Sequence, residues 1–369
     1  MLEAGVYIHI PFCSSKCYYC DFLSFEGKEF LFDEYVRTLL NEAQGTNFSE
    51  VSSVYIGGGT PSILPAKQMQ KVLSYVSKLP LANDAEVSIE VNPGTVTKDY
   101  LLMLKADGIN RLSFGLQTTC NETLAKIGRL HSFEQFLENY FAAKEVGFGN
   151  INVDLMFGLP NQTVMCFEKD LSNLLFLEPQ HISFYSLTPC ENTPLWNNLQ
   201  GFCLPSDEAD RHMYHLAAKM LADYGYRHYE ISNAAKPGFE CTHNINCWRH
   251  EPYIGFGLGS HSFDGKKRWS NPIKFDDYFE CVDPNFEMLT NKELESEAMI
   301  LGLRLIDGVD ELFFESKFGA KPTSLFEQQI SKLVEEGLIE IESSRIKLTS
   351  LGLDLANRVF VQFLQGTSA

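Results

Sequence analysis

The sequence predicts an α/β protein, a partial (β/α)6 barrel followed by a C-terminal α+β domain resembling a winged helix. Three observations carry this. Short β-branched runs alternate with helical patterns six times before residue 190, the order that builds a parallel sheet with right-handed crossovers. The polar and glycine motifs fall at the ends of those runs, where parallel α/β folds place ligands. After about residue 290 the pattern changes to helices followed by a short hairpin.

Taken in order, residues 6–10 read as a strand leading into a cysteine loop, and 30–44 as a helix. Residues 51–56 form a strand ending in Gly57-Gly58-Gly59-Thr60-Pro61, and 66–79 a helix. Strand 86–91 ends in Asn92-Pro93-Gly94; helix 98–106 leads to strand 111–115. Helix 133–146, strand 150–157, helix 166–177 and strand 181–187 complete the set. A helix over 209–224 and a strand-like Tyr229-Glu230-Ile231 follow. Residues 236–275 are rich in Gly, Pro, His and aromatics and read as loops. Helices are expected over 294–305, 323–337 and 352–364, with a hairpin of 338–341 and 345–349 between the last two. The domain reading is therefore 1–235 as the barrel, 236–290 as connecting loops and 291–369 as the C-terminal domain.

The balance of 30 basic and 48 acidic residues gives a formal charge of −18. Such a surface repels phosphate backbones and anionic lipid, so nucleic acid is excluded as a partner on charge grounds. The chain opens without a basic, apolar leader, and no apolar run is long enough to cross a bilayer. A reducing cytoplasm is the expected compartment for ten cysteines, most of them isolated.

Cys13, Cys17 and Cys20 fall in Cys13-Ser14-Ser15-Lys16-Cys17-Tyr18-Tyr19-Cys20. Thiolates select zinc, copper(I) or iron–sulfur clusters. A structural zinc site closes with four ligands, and a 4Fe–4S cluster normally takes four cysteines. Three ligands leave one iron open for chemistry; a degenerate zinc loop or three unrelated buried thiols is the alternative. Gly57-Gly58-Gly59 lets a ligand approach the backbone closely, or forms a plain turn. It is neither a Walker A loop nor a Gly-x-Gly-x-x-Gly helix opening. Glu90 and Asp154 are carboxylates within apolar strands and need partners. With Gln117 and Arg129 they form a polar set at successive strand ends.

These segments resemble the radical S-adenosylmethionine (SAM) superfamily and, within it, the HemN/HemW group. The likeness is carried by Tyr7-Ile8-His9-Ile10-Pro11-Phe12-Cys13, the glycines before Thr60-Pro61, the Glu90 and Gln117 segments and Asp154-Leu155-Met156-Phe157-Gly158-Leu159-Pro160. Leu301-Gly302-Leu303-Arg304-Leu305-Ile306-Asp307-Gly308-Val309 and Glu336-Gly337-Leu338-Ile339 extend it to the C-terminal domain, which the resemblance makes HemN-type. It implies a 4Fe–4S cluster on Cys13, Cys17 and Cys20, with SAM chelating the open iron. It implies SAM contacts from Tyr7, Gly58, Gly59, Thr60, Glu90, Gln117, Arg129 and Asp154.

The group divides in two. Its oxygen-independent coproporphyrinogen III oxidases, which decarboxylate two propionates, carry a fourth cysteine two residues after the third; here that residue is Phe22. Phe22 matches the heme chaperones instead. These also carry His-Asn-x-x-Tyr-Trp, which here reads His243-Asn244-Ile245-Asn246-Cys247-Trp248. His243 and Cys247 are the implied heme-binding residues, since both side chains are competent axial ligands; Trp248, Tyr253 and Phe256 could floor a porphyrin. The resemblance implies a chaperone that takes heme as cargo, passes it to an acceptor protein and draws electrons from a donor such as a flavodoxin or ferredoxin. Radical decarboxylation of a porphyrinogen is the alternative.

Overall fold

The computed structural model describes residues 2–364; residues 365–369 of the expected C-terminal domain lie outside them. Strands β1 (Leu2–Ile10), β2 (Phe48–Gly58), β3 (Leu81–Val91), β4 (Arg111–Gln117), β5 (Ile151–Phe157) and β6 (His181–Ser186) lie in chain order, all parallel. Helices α1 (Phe32–Ala43), α2 (Ala66–Val76), α3 (Lys98–Ala106), α4 (Phe133–Val146) and α5 (Val164–Leu177) form the crossovers, and α6 (Asp207–Asp223) follows β6. Helix α1 buries Phe32, Tyr35, Val36, Leu39 and Ala43, one stripe at helical spacing. Helix α4 starts in a Ser132–Gln135 capping box and stops at a left-handed Gly147.

The strands have two different faces. Val54, Ile56, Val87, Ile89, Leu112, Phe114, Ile151 and Val153 belong to the apolar core under the helices. The alternate positions carry Tyr55, Ser88, Glu90, Arg111, Ser113, Asn152 and Asp154. The register sets Glu90 beside Ser113, Ser113 beside Asn152, and Asn152 beside His181. The barrel interior is therefore a polar lumen, and the carboxylates that looked misplaced in apolar strands are its lining.

The barrel does not close. Beyond β6, strands β7 (Arg227–Glu230) and β8 (Asn233–Ala235) extend the sheet antiparallel. On the other edge β1 pairs in parallel with β9 (Tyr253–Phe256), followed by β10 (His261–Phe263), β11 (Lys267–Ser270) and β12 (Asn285–Met288). The result is one 12-stranded sheet. This corrects the reading of 236–290 as connecting loops. The segment holds four strands and α7 (Thr242–Trp248). Strands of three or four residues are too short to display an alternation, so the turn-forming residues between them dominate the pattern.

The C-terminal part has its own apolar cluster, including Met299, Leu303, Phe314, Phe326, Leu333 and Phe363. It comprises α8 (Asn291–Gly302), α9 (Glu311–Phe318) and α10 (Glu327–Glu335) with the strands β13 (Val309–Asp310), β14 (Ile339–Glu342) and β15 (Arg345–Leu348), ordered β13-β15-β14. The helix expected over 323–337 breaks at Phe326, whose ring is fully buried edge-on to Phe363. The one expected over 352–364 breaks at Leu355. No helix among the described residues is long and apolar enough to cross a membrane.

Candidate cofactor site

The cysteine loop leaves the C-terminal end of β1. Residues Phe12–Cys13 pair with Phe25–Glu26, closing the loop at its base. His9, one turn of the pleat below, donates its Nε2–H to the Leu23 carbonyl (2.9 Å) and accepts the Tyr7 hydroxyl at Nδ1 (2.9 Å). The Lys16 ammonium donates to the Phe22 carbonyl (2.9 Å) and its backbone N–H to Glu26 (3.0 Å). The loop is thus fixed from both sides before any ligand binds.

The glycine run provides the space for it. Gly59 donates its N–H to the Ile10 carbonyl (2.9 Å), and a Cβ there would sit 2.7 Å from the Phe12 carbonyl oxygen and 3.0 Å from the Cys13 sulfur. Gly58 has φ +115°, and a Cβ would lie 2.5 Å from the His9 ring. Its N–H donates to Glu90 Oε2 (3.1 Å). Gly58→Ala is therefore expected to destabilise the protein by about 3 kcal/mol, from left-handed backbone strain plus overpacking. Urea unfolding measures this; a midpoint equal to wild type would show that the loop and His9 move aside freely.

One cavity of about 350 Å³ gathers the strand ends. Cys13, Cys17, Cys20, Gly58, Gly59, Thr60, Glu90, Gln117, Arg129 and Asp154 all line it. All ten cysteines are free thiols. The Thr60 hydroxyl donates to Cys13 Sγ (3.6 Å), and the Arg129 guanidinium to Cys17 Sγ (3.6 Å). Arg129 also donates to Asn92 Oδ1 (2.7 Å) and to the Gly115 carbonyl, while its Nε is buried without a partner. Asn92 in turn donates to Thr60 (2.9 Å). Gln117 takes φ +76° and accepts the Tyr185 hydroxyl (3.0 Å). Burial raises Cys13 and Cys20 above the usual thiol range.

Glu90 is the electrostatic centre. It accepts the Tyr55 hydroxyl at 3.0 Å. Burial, then the Asp154 charge, pushes its pKa up to about 7. Asp154 is itself raised by burial, against the pull of Asn152, which donates at 2.8 Å. Two neighbouring carboxylates desolvated by burial are costly until something cationic arrives. An ammonium or sulfonium between them meets that demand, and the partnerless Arg129 Nε leaves a donor for an anionic group. Among the described residues no three His, Cys, Asp or Glu side chains gather round a single-ion position. A cubane cluster instead asks each sulfur to meet a different iron. The donor set fits a cluster joined to an amino-acid-bearing cation.

Tyr7, His243 and Cys247 lie outside this cavity. Tyr7 is a layer below, with its ring 6.4 Å from those of Tyr55 and His243. His243 sits on α7, buried inside the barrel; its Nδ1 is 3.0 Å from the Ser53 hydroxyl and its ring stacks on Tyr55 at 5.3 Å. Burial lowers its pKa to about 4 and raises that of Cys247 to about 12. Phe256 packs in the core against Phe48 and Tyr75 rather than flooring a site. The sequence reading missed Tyr55, Ser113 and Tyr185. Counting by twos back from Gly57 and Gly115, or along β6, puts each on the lumen face.

Residues 7–174 match the Radical SAM superfamily profile and residues 289–355 the HemN C-terminal domain. The heme chaperone HemW of Lactococcus lactis is 36% identical over 98% of this chain and 97% of its own length. HemW of Bacillus subtilis is 37% identical, covering 98% and 99%. The chain belongs to the HemN/HemW group of radical SAM proteins. A 4Fe–4S cluster and SAM are the cofactors of that superfamily. The Escherichia coli coproporphyrinogen III oxidase HemN, a radical SAM enzyme, superposes with a TM-score of 0.84 over 99% of this chain and 90% of its own. At 24% identity this shows the shared fold.

Proposed function

We propose that this HemN/HemW-group protein is a cytoplasmic heme chaperone. It holds a 4Fe–4S cluster and SAM, binds heme and passes it to an acceptor protein. The observation that carries the reading is the near full-length similarity to curated heme chaperones, 36–37% identical over 98% of the chain. The cavity that joins three free thiols to a carboxylate-rich wall supports the cofactor part.

In this reading Cys13, Cys17 and Cys20 are the iron ligands. Gly58, Gly59 and Thr60 line the place of the methionine amino group. Glu90 and Asp154 face the cationic parts of SAM, and Gln117 and Arg129 its polar groups. Tyr7 acts from below, through His9. When bound, the cluster and SAM supply one-electron chemistry, with a flavodoxin- or ferredoxin-like donor. The chain's own work is to orient SAM and exclude water. Heme is held at α7, the helix that carries His243 and Cys247.

The oxidase reading shares the fold, but Phe22 stands in the position of the fourth cysteine and is 67% exposed at the cavity. Heme titration of anaerobically reconstituted protein is expected to give a saturable Soret band at one heme per chain. Incubation with coproporphyrinogen III, SAM and a reductant is expected to yield no carbon dioxide. Turnover of the porphyrinogen without heme binding would reverse the assignment.

A further inference from the structure

A second cavity, of about 1100 Å³, opens at the opposite end of the barrel. Its walls are the N-terminal ends of β1 and β2, the outward face of α7, and α9 of the C-terminal part. We propose that this cavity seats the tetrapyrrole ring of heme, with Trp248 on the barrel wall, Phe313 on the C-terminal wall and Arg249 facing the ring's carboxylates. The inference rests on the heme-chaperone reading and says where that cargo lies.

Size argues first. Drug-sized ligands fill pockets of roughly 300–1,000 Å³. The cysteine cavity, at about 350 Å³, is already matched to a nucleoside-sized occupant. The second one has room for a macrocycle; a further cavity of about 760 Å³ lies against α1 and α2, away from α7. Chemistry argues next. Ile245, Trp248, Phe313 and Phe318 give it apolar and aromatic surface from both sides. The Trp248 indole is held by the Arg304 guanidinium at 4.4 Å from its ring centroid, and its Nε1 is buried without a partner. Phe313 is 46% exposed and lines the cavity, so its face is open for a flat ring to pack on. Charge argues third. Arg227, Lys317 and Arg345 each have a carboxylate within 4 Å. Arg249 is exposed and has none among the described residues, leaving it free for a propionate. Finally, the inner face of α7 is closed: His243 is hydrogen-bonded to Ser53 and packed on Tyr55. The ring therefore lies on the outward face, and its seat is shared between the barrel and the C-terminal part.

This seat recognises the ring rather than the iron. Iron-free protoporphyrin IX is expected to bind the full chain and to displace heme. Phe313→Glu and Arg249→Glu alter exposed side chains, so folding is checked by circular dichroism. Each is expected to weaken both ligands at least tenfold, read by the Soret band for heme and by tryptophan quenching for the iron-free ring. Heme binding with wild-type affinity by both variants would overturn the proposal while leaving the chaperone reading standing. So would binding of heme but not of the iron-free ring, which would return the site to a ligand bond from the inner face of α7. If wild type binds neither ring, the chaperone reading itself falls.

Discussion

Cys17→Ser is expected to abolish the iron–sulfur cluster: iron in anaerobically reconstituted protein falls from about four per chain to below one. Serine is a poor soft ligand, and a cluster with two cysteines has two unheld corners. Cys17 is the middle cysteine of the loop and the proposed central ligand, and its sulfur accepts the Arg129 guanidinium at 3.6 Å. Loss of the cluster also leaves SAM without its metal, so SAM affinity falls with the iron. Cys190 is the informative comparison, because it lines the same cavity. Cys190→Ser is expected to keep the full iron load. If it also empties the site, the cluster has four sulfur ligands and no open iron, and SAM chelation is ruled out. Because burial raises Cys13 and Cys20, assembly displaces protons from both. Reconstitution is therefore expected to weaken as pH falls.

Glu90→Gln is expected to remove a pH dependence of stability that the cofactor-free wild type shows. The folded carboxyl keeps its proton up to about pH 7, whereas the unfolded one releases it near 4.5. Between those values the native state binds more protons, so stability falls as pH rises through the window. Above it the wild type carries a destabilising charge of about 2 kcal/mol, after allowing for screening through the cavity mouth. Glu90→Gln keeps the shape and can still meet the Tyr55 hydroxyl and the Gly58 N–H. Urea midpoints at pH 5 and pH 8 test this. The variant gains on wild type only at pH 8; parallel profiles would place the proton elsewhere, on Asp154 for instance. On the proposed contact of Glu90 with SAM, the same substitution is expected to weaken SAM by about tenfold in calorimetry, since a charge-assisted hydrogen bond would become neutral.

Both experiments bear on residues that the sequence alone singles out. Cys13, Cys17, Cys20, the glycines, Glu90 and Asp154 were legible because each is a residue type that local structure does not explain. A thiol triplet, a glycine run after a strand or a charge inside an apolar run marks a departure from packing rules, and departures collect at sites. Tyr55 and Ser113 gave no such mark, for tyrosine and serine are ordinary strand residues. They became visible only when the register put Glu90 beside Ser113 and placed the Tyr55 hydroxyl 3.0 Å from its carboxylate.

His243 shows the opposite error. Its segment was legible, but the loop expected around it is α7, and the imidazole points into the barrel onto Ser53. Seven residues suffice for a helix when Glu86 accepts the N–H groups of Thr242 and His243 at its start. That carboxylate lies 156 positions away, beyond the reach of any local pattern.

The sequence by itself determined the six strand–helix units, the thiol triplet at the end of the first strand and the shift to a separate C-terminal unit. These depend on periodicity and residue type, which neighbours in the chain already define. Tertiary structure alone decided that the sheet runs on to twelve strands and that the lumen is polar. It also decided that the His243 helix presents Trp248 and Arg249, rather than its histidine, to a second cavity. Each of these depends on which distant segments pair, and pairing is settled by the burial and hydrogen bonds of the whole fold.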